Sequence, residues 1–431
     1  MENNKTDVIV VGAGPAGVSA AITIAQAGKK VLLLERSDNA GDKNVFGGCI
    51  YTHQTEDIFY NFKEEAPLER GIIDEKIIML TDTESVEFSH KFSSDKRYGA
   101  YTVLRSKWDK WCINQAEKAG VYFAPKTLVK ELIKNNGNII GVKTQFEEYY
   151  ANIVIVADGV NSLLAKQIGL RDRFKDENVT LNVKEVYRLP KQRLEDRFNI
   201  NDKEGIAAKI LGGPLKDMFA MGFMYTNEDT ISIGYGISLD ILKANKIKPY
   251  ELMDKLKEHP SISKYLKDAE FVEYSAHMIP EGSLDNIPKV YDNGVLIAGD
   301  AACFVNNIHF EGTNLAMLSG KLAGETAIFA LEKGDFSAPV LSGYYKKLKS
   351  SIIIKDLKTH NDTISFLKKN INTITSLYPK IACELLSVLT TADGIPKKNK
   401  YNKLFSDIMK SGCVQKSIPL GMFAMGKCIK K

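Results

Sequence analysis

The feature that most constrains this chain is a run of 21 uncharged residues, 8–28, interrupted by Gly12, Gly14, Pro15 and Gly17. A run of that length raises a membrane-spanning helix. The glycines, the proline and the β-branched stretch Val8-Ile9-Val10-Val11 predict something else: a buried strand over 7–11, a tight turn, and a buried helix over 15–27. Residues 30–35 read as a second strand, and the βαβ unit so formed announces a parallel sheet with crossover helices. Gly12-Ala13-Gly14-Pro15-Ala16-Gly17 occupies the strand-to-helix turn. In a GxGxxG at that place the first glycine permits the tight turn, and the second lets backbone approach a diphosphate. The third lets the helix pack on the strand, and the diphosphate sits on the helix N-terminus. Glu35 lies eighteen residues beyond Gly17, where an acid can accept both hydroxyls of an adenine ribose, with Arg36 following it.

Two further segments repeat this logic far along the chain. Val156-Ala157-Asp158-Gly159-Val160-Asn161-Ser162 follows the apolar strand 153–157. Leu296-Ile297-Ala298-Gly299-Asp300-Ala301-Ala302 follows the strand 295–298 and is predicted to open a helix. Each puts an Asp at the carboxyl end of a parallel strand, the edge where open α/β sheets bind ligands. Either Asp taken alone reads equally as a helix cap. Three such sites together predict one long ligand lying across the sheet.

The order GxGxxG…Glu35-Arg36, then ADGxNS, then AGDAA resembles the flavoprotein hydroxylase and reductase superfamily that binds FAD. That resemblance implies roles for Gly12, Gly14, Ala16, Gly17, Glu35 and Arg36 on the ADP half. It implies Asp158 near the phosphates and Asp300 at the ribityl or pyrophosphate portion. Arg105, in Val103-Leu104-Arg105-Ser106-Lys107-Trp108-Asp109, is similar to the family's arginine-bearing helix start, and Val129 matches the position whose backbone meets adenine. A narrower match runs through Gly41-Asp42-Lys43-Asn44-Val45-Phe46-Gly47-Gly48. It resembles the GxKNxxGG segment of the FixC and electron transfer flavoprotein–quinone oxidoreductase family. So do Phe223-Met224-Tyr225-Thr226-Asn227, residues 272–277, and Glu311-Gly312-Thr313-Asn314-Leu315-Ala316-Met317. The resemblance implies cofactor contacts for Lys43, Asn44, Gly47 and Gly48, with Gly47-Gly48 against the isoalloxazine. It places Gly312 and Asn314 at the pyrimidine side.

The expected architecture is α/β: a Rossmann-like FAD-binding domain with an inserted antiparallel sheet domain and a helical C-terminal region. Its parts are the first portion of the FAD-binding domain (1–165), the inserted sheet for substrate or quinone (166–277), the second portion (278–345), and basic helices (346–431). The insert is signalled by alternating strands at 182–188, 220–225 and 231–236, and a hairpin is predicted at 127–134 and 139–144 around Asn135-Asn136-Gly137-Asn138. The six histidines include no HExxH. The six cysteines are scattered, none in CxxC, which disfavours a disulfide framework, a zinc site or an iron–sulfur cluster in this chain. Cys49 reads as a small buried hydrophobe, with proximity to the flavin as the alternative. His277 and His309 read as core or loop histidines. No second GxGxxG for a nicotinamide cofactor is present.

The implied activity is that of an FAD-dependent oxidoreductase, passing electrons from an electron transfer flavoprotein to a quinone or a ferredoxin-like iron–sulfur protein. No side-chain acid or base is assigned to it, the chemistry being centred on the flavin. A flavin-dependent reductase of isoprenoid double bonds, similar to geranylgeranyl reductases, is the second reading. The overall charge of +5 conceals an asymmetry, for residues 346–431 hold 17 lysines against five acids. Such a tail is either a solvated helical face or an attractor of acidic partners and anionic membrane. Nucleic acid is disfavoured, since no aromatic-interleaved arginine patch accompanies the lysines. The first seven residues, with one lysine against two acids, are unlike the basic start of a signal peptide, and the expected location is the cytoplasm. Residues 417–426, apolar between Lys416 and Lys427, read either as a shallow interfacial anchor on the inner face of the cell membrane or as a segment docked on its own core.

Overall fold

A computed structural model describes residues 5–42, 48–92, 99–413 and 415–417. The chain divides into two compact units. One comprises 1–72, 97–180 and 277–361, and the other 73–96, 181–276 and 362–431. Residues 73–96 therefore go with the inserted sheet. The lysine-rich region is split, its first part (346–361) belonging to the nucleotide unit and the remainder to the sheet unit.

The first unit is built on β1 (Lys5–Val11), α1 (Pro15–Gln26), β2 (Val31–Leu34), α2 (Arg105–Lys118), β3 (Tyr122–Ala124), β4 (Glu148–Val156), β5 (Val295–Ile297) and α3 (Thr313–Lys333). The strands run in the order β5-β4-β1-β2-β3, and every neighbouring pair is parallel. Val8–Val10, Ile153–Val156 and β5 are fully buried. That suits strands covered on both faces and explains why they read as continuous apolar runs. The hairpin Val129–Asn135/Asn138–Thr144 turns at Asn136 and Gly137, both at positive φ. A short ribbon pairs Cys49–Tyr51 with Ala100–Val103.

The second unit carries an antiparallel sheet with strands in the order 270–276, 181–188, Thr230–Ser238, Ala220–Thr226 and Glu204–Gly212. Residues 73–80 follow, edged by Ser85–Lys91. Ile231, Ile233, Tyr235 and Ile237 alternate into one core with Val183, Ile206 and Ile210, with the period of 2 that puts successive side chains on opposite faces, and Thr230 and Ser232 on the other face are buried as well. Helices α4 (Tyr378–Thr390) and α5 (Lys397–Lys410) close the described chain. Of the apolar segment 417–426, only Ser417 lies among the described residues.

Candidate cofactor site on the strand ends

Because β1, β2, β4 and β5 are parallel, their carboxyl ends share one edge. The loops leaving that edge are 12–17, 35–37, 157–162 and 298–303. The order reverses at β1, with β2 on one side and β4 on the other, which makes this edge the topological switch point where open α/β sheets take ligands.

The glycine turn is tight where it folds and open where a ligand would lie. Gly12 has φ +100°, and a Cβ there would meet the Ala157 carbonyl oxygen at 2.3 Å. A Cβ on Gly17 would meet the Gly12 oxygen at 1.9 Å. One on Gly14 would meet nothing within 4 Å. Helix α1 starts directly behind, with Pro15 at its first position and its early amides unclaimed by side chains. Glu35 holds this turn from the side, its carboxylate accepting the Ala13 amide at 3.0 Å and the Ser37 amide at 2.9 Å. Each oxygen keeps a second lone pair for a ligand hydroxyl. Arg36 is exposed. Val129 begins the hairpin that follows the 126–127 turn, whose amides bond the Ser37 and Glu35 carbonyls at 2.9 and 2.7 Å.

Asp158 accepts the Leu164 amide at 3.1 Å through Oδ2, which caps the following helix. Its Oδ1 is buried without a hydrogen-bond partner among the described residues. Burial raises its pKa, against the amides that favour the charged form. Asp300 sits in a single 3-10 turn, Gly299–Ala302, so the helix expected to open here is only one turn long. The long helix α3 starts only at Thr313. The reason is the left-handed Cys303, φ +61°, which reverses the chain after one turn. Burial pushes the Asp300 carboxyl up to about 6, and the Arg105 cation works against that shift.

Arg105 opens α2 and is buried. Its Nε and Nη2 each donate at 2.9 Å to the two carboxylate oxygens of Asp109, one turn along. Burial pushes the His277 imidazole down to about 4, with the cations of Arg105 and Arg36 acting the same way, so it is neutral at physiological pH. Nothing in the spacing of His277 pointed to the charges at this edge.

At the mouth of α3, Gly312 is open, its nearest neighbour to a Cβ being Val305 at 4.0 Å. Asn314 is buried and donates through Nδ2 to Glu311 at 3.0 Å. Its Oδ1 is buried with no partner among the described residues, so a ligand N–H can take it. Gly48 is buried, and its carbonyl accepts the Val103 amide at 2.8 Å. Cys49 follows, half-buried in the short ribbon. Lys43, Asn44 and Gly47 lie outside the described residues.

The site also rests on a helix crossing that no motif marks. A Cβ on Gly320 of α3 would meet the Ala16 carbonyl oxygen at 2.0 Å, and one on Gly324 would meet the Ala20 oxygen at 2.9 Å. Helices α1 and α3 thus cross backbone to backbone behind the glycine turn.

Open backbone at Gly14 and Gly312, together with unpartnered oxygens on Asp158 and Asn314, fits an elongated nucleotide cofactor. The model of the family described as "FAD dependent oxidoreductase" matches residues 7–167, and that described as "ETF-QO, ubiquinone-binding" matches 179–279. Protein FixC of Bradyrhizobium diazoefficiens is 37% identical over 95% of this chain and 96% of its own length. The probable electron transfer flavoprotein-quinone oxidoreductase YdiS of Escherichia coli is 38% identical over 96% of this chain and 97% of its own. The chain belongs to the FixC and electron transfer flavoprotein–quinone oxidoreductase family. It is an FAD-dependent oxidoreductase. Among solved structures, a geranylgeranyl bacteriochlorophyll reductase-like protein of Thermoplasma acidophilum matches with TM-score 0.71. Its identity is 19% over 94% of this chain and 99% of its own, a likeness of fold.

Proposed function

We propose that this FixC-family protein takes electrons from an electron transfer flavoprotein and passes them to a quinone, with a ferredoxin-like iron–sulfur protein as the alternative acceptor. The observation that carries the reading is family membership over nearly the whole chain, joined to a quinone-binding family model on the inserted sheet unit. When bound, FAD supplies the redox centre, storing electrons between donor and acceptor.

The chain's own residues bind and orient. Gly12, Gly14, Ala16 and Gly17 seat the diphosphate on the amides of α1, and Glu35 takes the adenine ribose, with Arg36 beside it. The backbone of Val129 meets adenine. Asp158 and Asp300 accept hydroxyls or lie by the phosphates of the central portion. Arg105, fixed by Asp109, holds positive charge at the same edge. Gly48 leaves room for the ring system, and Asn314 Oδ1 with the Gly312 backbone addresses its pyrimidine side. No acid–base side chain is required.

The proposed location is the cytoplasm, with peripheral contact at the membrane that holds the quinone. The test is anaerobic stopped-flow mixing with a reduced cognate electron transfer flavoprotein. Bleaching of the bound flavin supports the reading, and an unreduced flavin contradicts it. A prenyl-lipid reductase would instead consume an isoprenoid double bond; its likeness here is one of fold alone.

A further inference from the structure

We propose that His309 and His360 form a binding site for a divalent transition-metal ion on the nucleotide unit. The two imidazoles come from places 51 residues apart in sequence, and their Nε2 atoms lie 3.2 Å from each other. The ring centroids are 5.0 Å apart and the planes meet at 63°. Two arrangements bring imidazole nitrogens this close. A proton shared head-on, along both ring axes, would separate the centroids by about 5.5 Å. At 5.0 Å the ring axes are instead bent toward one side. An ion about 2.05 Å from each nitrogen, at an N–metal–N angle of about 103°, reproduces both the 3.2 Å and the 5.0 Å separations. That angle falls between those of octahedral and tetrahedral coordination.

The backbone holds both ligands before any ion arrives. Asn306 is buried, and its Oδ1 accepts the Ile308 amide at 3.2 Å and the His309 amide at 3.3 Å. A two-way backbone bridge between Asn306 and Glu311, at 2.8 and 3.0 Å, closes the loop that runs into Gly312. The Tyr51 hydroxyl lies 3.4 Å from both the His309 and the Phe310 carbonyl oxygens. His360 ends the helix Ile352–His360, which is seated by the buried Ile353, Ile354 and Leu357. Directly behind it, Asn361 Oδ1 accepts the Leu284 amide at 3.0 Å. Fixed supports of this kind lower the cost of bringing two ligands to one ion. Paired imidazole nitrogens suit Zn²⁺, Cu²⁺ and Ni²⁺, whereas Mg²⁺ and Ca²⁺ take oxygen ligands. Among the described residues no group of three His, Cys, Asp or Glu side chains could hold a metal. The remaining coordination positions therefore fall to water, and the ion exchanges with solvent. This is not the closed four-ligand zinc site that the histidine and cysteine spacing disfavours.

The test is calorimetric titration of the chelator-treated, FAD-loaded full chain with Zn²⁺. The expected result is a saturable site for one Zn²⁺ per chain at micromolar affinity, from which excess Mg²⁺ does not displace the ion. His309→Ala and His360→Ala each weaken that site at least about tenfold. His90→Ala, at an exposed histidine of the other unit, leaves it unchanged. Electron paramagnetic resonance of the Cu²⁺-loaded chain is expected to show superhyperfine splitting from two imidazole nitrogens, reduced to one in either variant. A histidine with a merely structural role would not move that signal. Circular dichroism and bound flavin check that each variant has folded. Absent or millimolar Zn²⁺ binding would overturn the proposal and leave the pair sharing a proton. Binding that survives both alanine variants would overturn it by placing the ion elsewhere, and so would a single-nitrogen Cu²⁺ signal in the parent chain. The site stands apart from the electron route. A protein that ignores Zn²⁺ yet is reduced by its donor would refute this proposal alone; one that takes Zn²⁺ while its flavin stays oxidised would refute the electron route alone.

Discussion

Glu35 Oε2 accepts the Ala13 amide at 3.0 Å, so the acid that ends β2 also braces the turn that ends β1. Its other oxygen takes the Ser37 amide. A ribose-binding carboxylate and a diphosphate-binding turn are thus one hydrogen-bonded unit. Glu35→Gln keeps a single carbonyl acceptor and introduces a donor toward an amide. It is expected to weaken FAD binding by about 1–2 kcal/mol, roughly tenfold, with a smaller loss of stability. Equilibrium dialysis of the flavin against the purified variant checks this.

Gly12 and Gly14 should separate folding from binding. Gly12→Ala puts a methyl group 2.3 Å from a carbonyl at φ +100°, and is expected to cost about 2–4 kcal/mol of stability. Gly14→Ala meets nothing in the protein. The expected outcome is an unchanged melting temperature of the flavin-free protein together with loss of bound flavin. Thermal melts of flavin-stripped and reconstituted protein distinguish the two.

Gly320 predicts a defect with no motif behind it. Gly320→Val drives a branched side chain into the Ala16 backbone. The expected cost is about 2–3 kcal/mol, because α1 must move away from α3. The nucleotide turn, carried on α1, should lose flavin in proportion. Denaturant unfolding measures the first effect, and flavin release on dilution the second.

Asp300 sets a pH dependence. Its pKa in the folded chain is about 6, above the ordinary 3.8. Between those values the folded chain holds a proton that the unfolded chain has released, so stability of the flavin-free protein falls as pH rises through roughly 4 to 6. Asp300→Asn removes that slope and is expected to raise the melting temperature at pH 7 by a few degrees. It should at the same time weaken flavin binding, since an ionised acceptor is lost. Melts across pH 4–8 with and without FAD check both signs.

Much of this fold was legible because strands buried on both faces advertise themselves as uncharged β-branched runs. Val8–Val11, Ile153–Val156 and Val295–Ile297 all lie in the first unit's sheet, and each is followed by a motif at its carboxyl end. Asp158 and Asp300 were named from the resemblance, since a strand-end acid taken alone reads equally as a helix cap, and Asp158 does accept the Leu164 amide. What could not be read were effects of long-range approach. The turn at Asp300 is short because Cys303 is left-handed. His277 is held neutral by burial, with the cations of Arg105 and Arg36, both far away in sequence, acting the same way. Residues 73–96 go with a sheet whose other strands begin a hundred residues later. The Gly320–Ala16 contact joins residues 304 positions apart, and a glycine inside a helix looks the same whether it faces solvent or another backbone.

The most direct test of the electron route is its second half: anaerobic addition of ubiquinone to protein whose flavin has been reduced by the electron transfer flavoprotein. The account predicts return of the oxidised flavin spectrum with one quinone reduced per two electrons stored. A reduced flavin that ubiquinone leaves untouched, while a ferredoxin-like protein or a prenyl lipid reoxidises it, would contradict the quinone as acceptor.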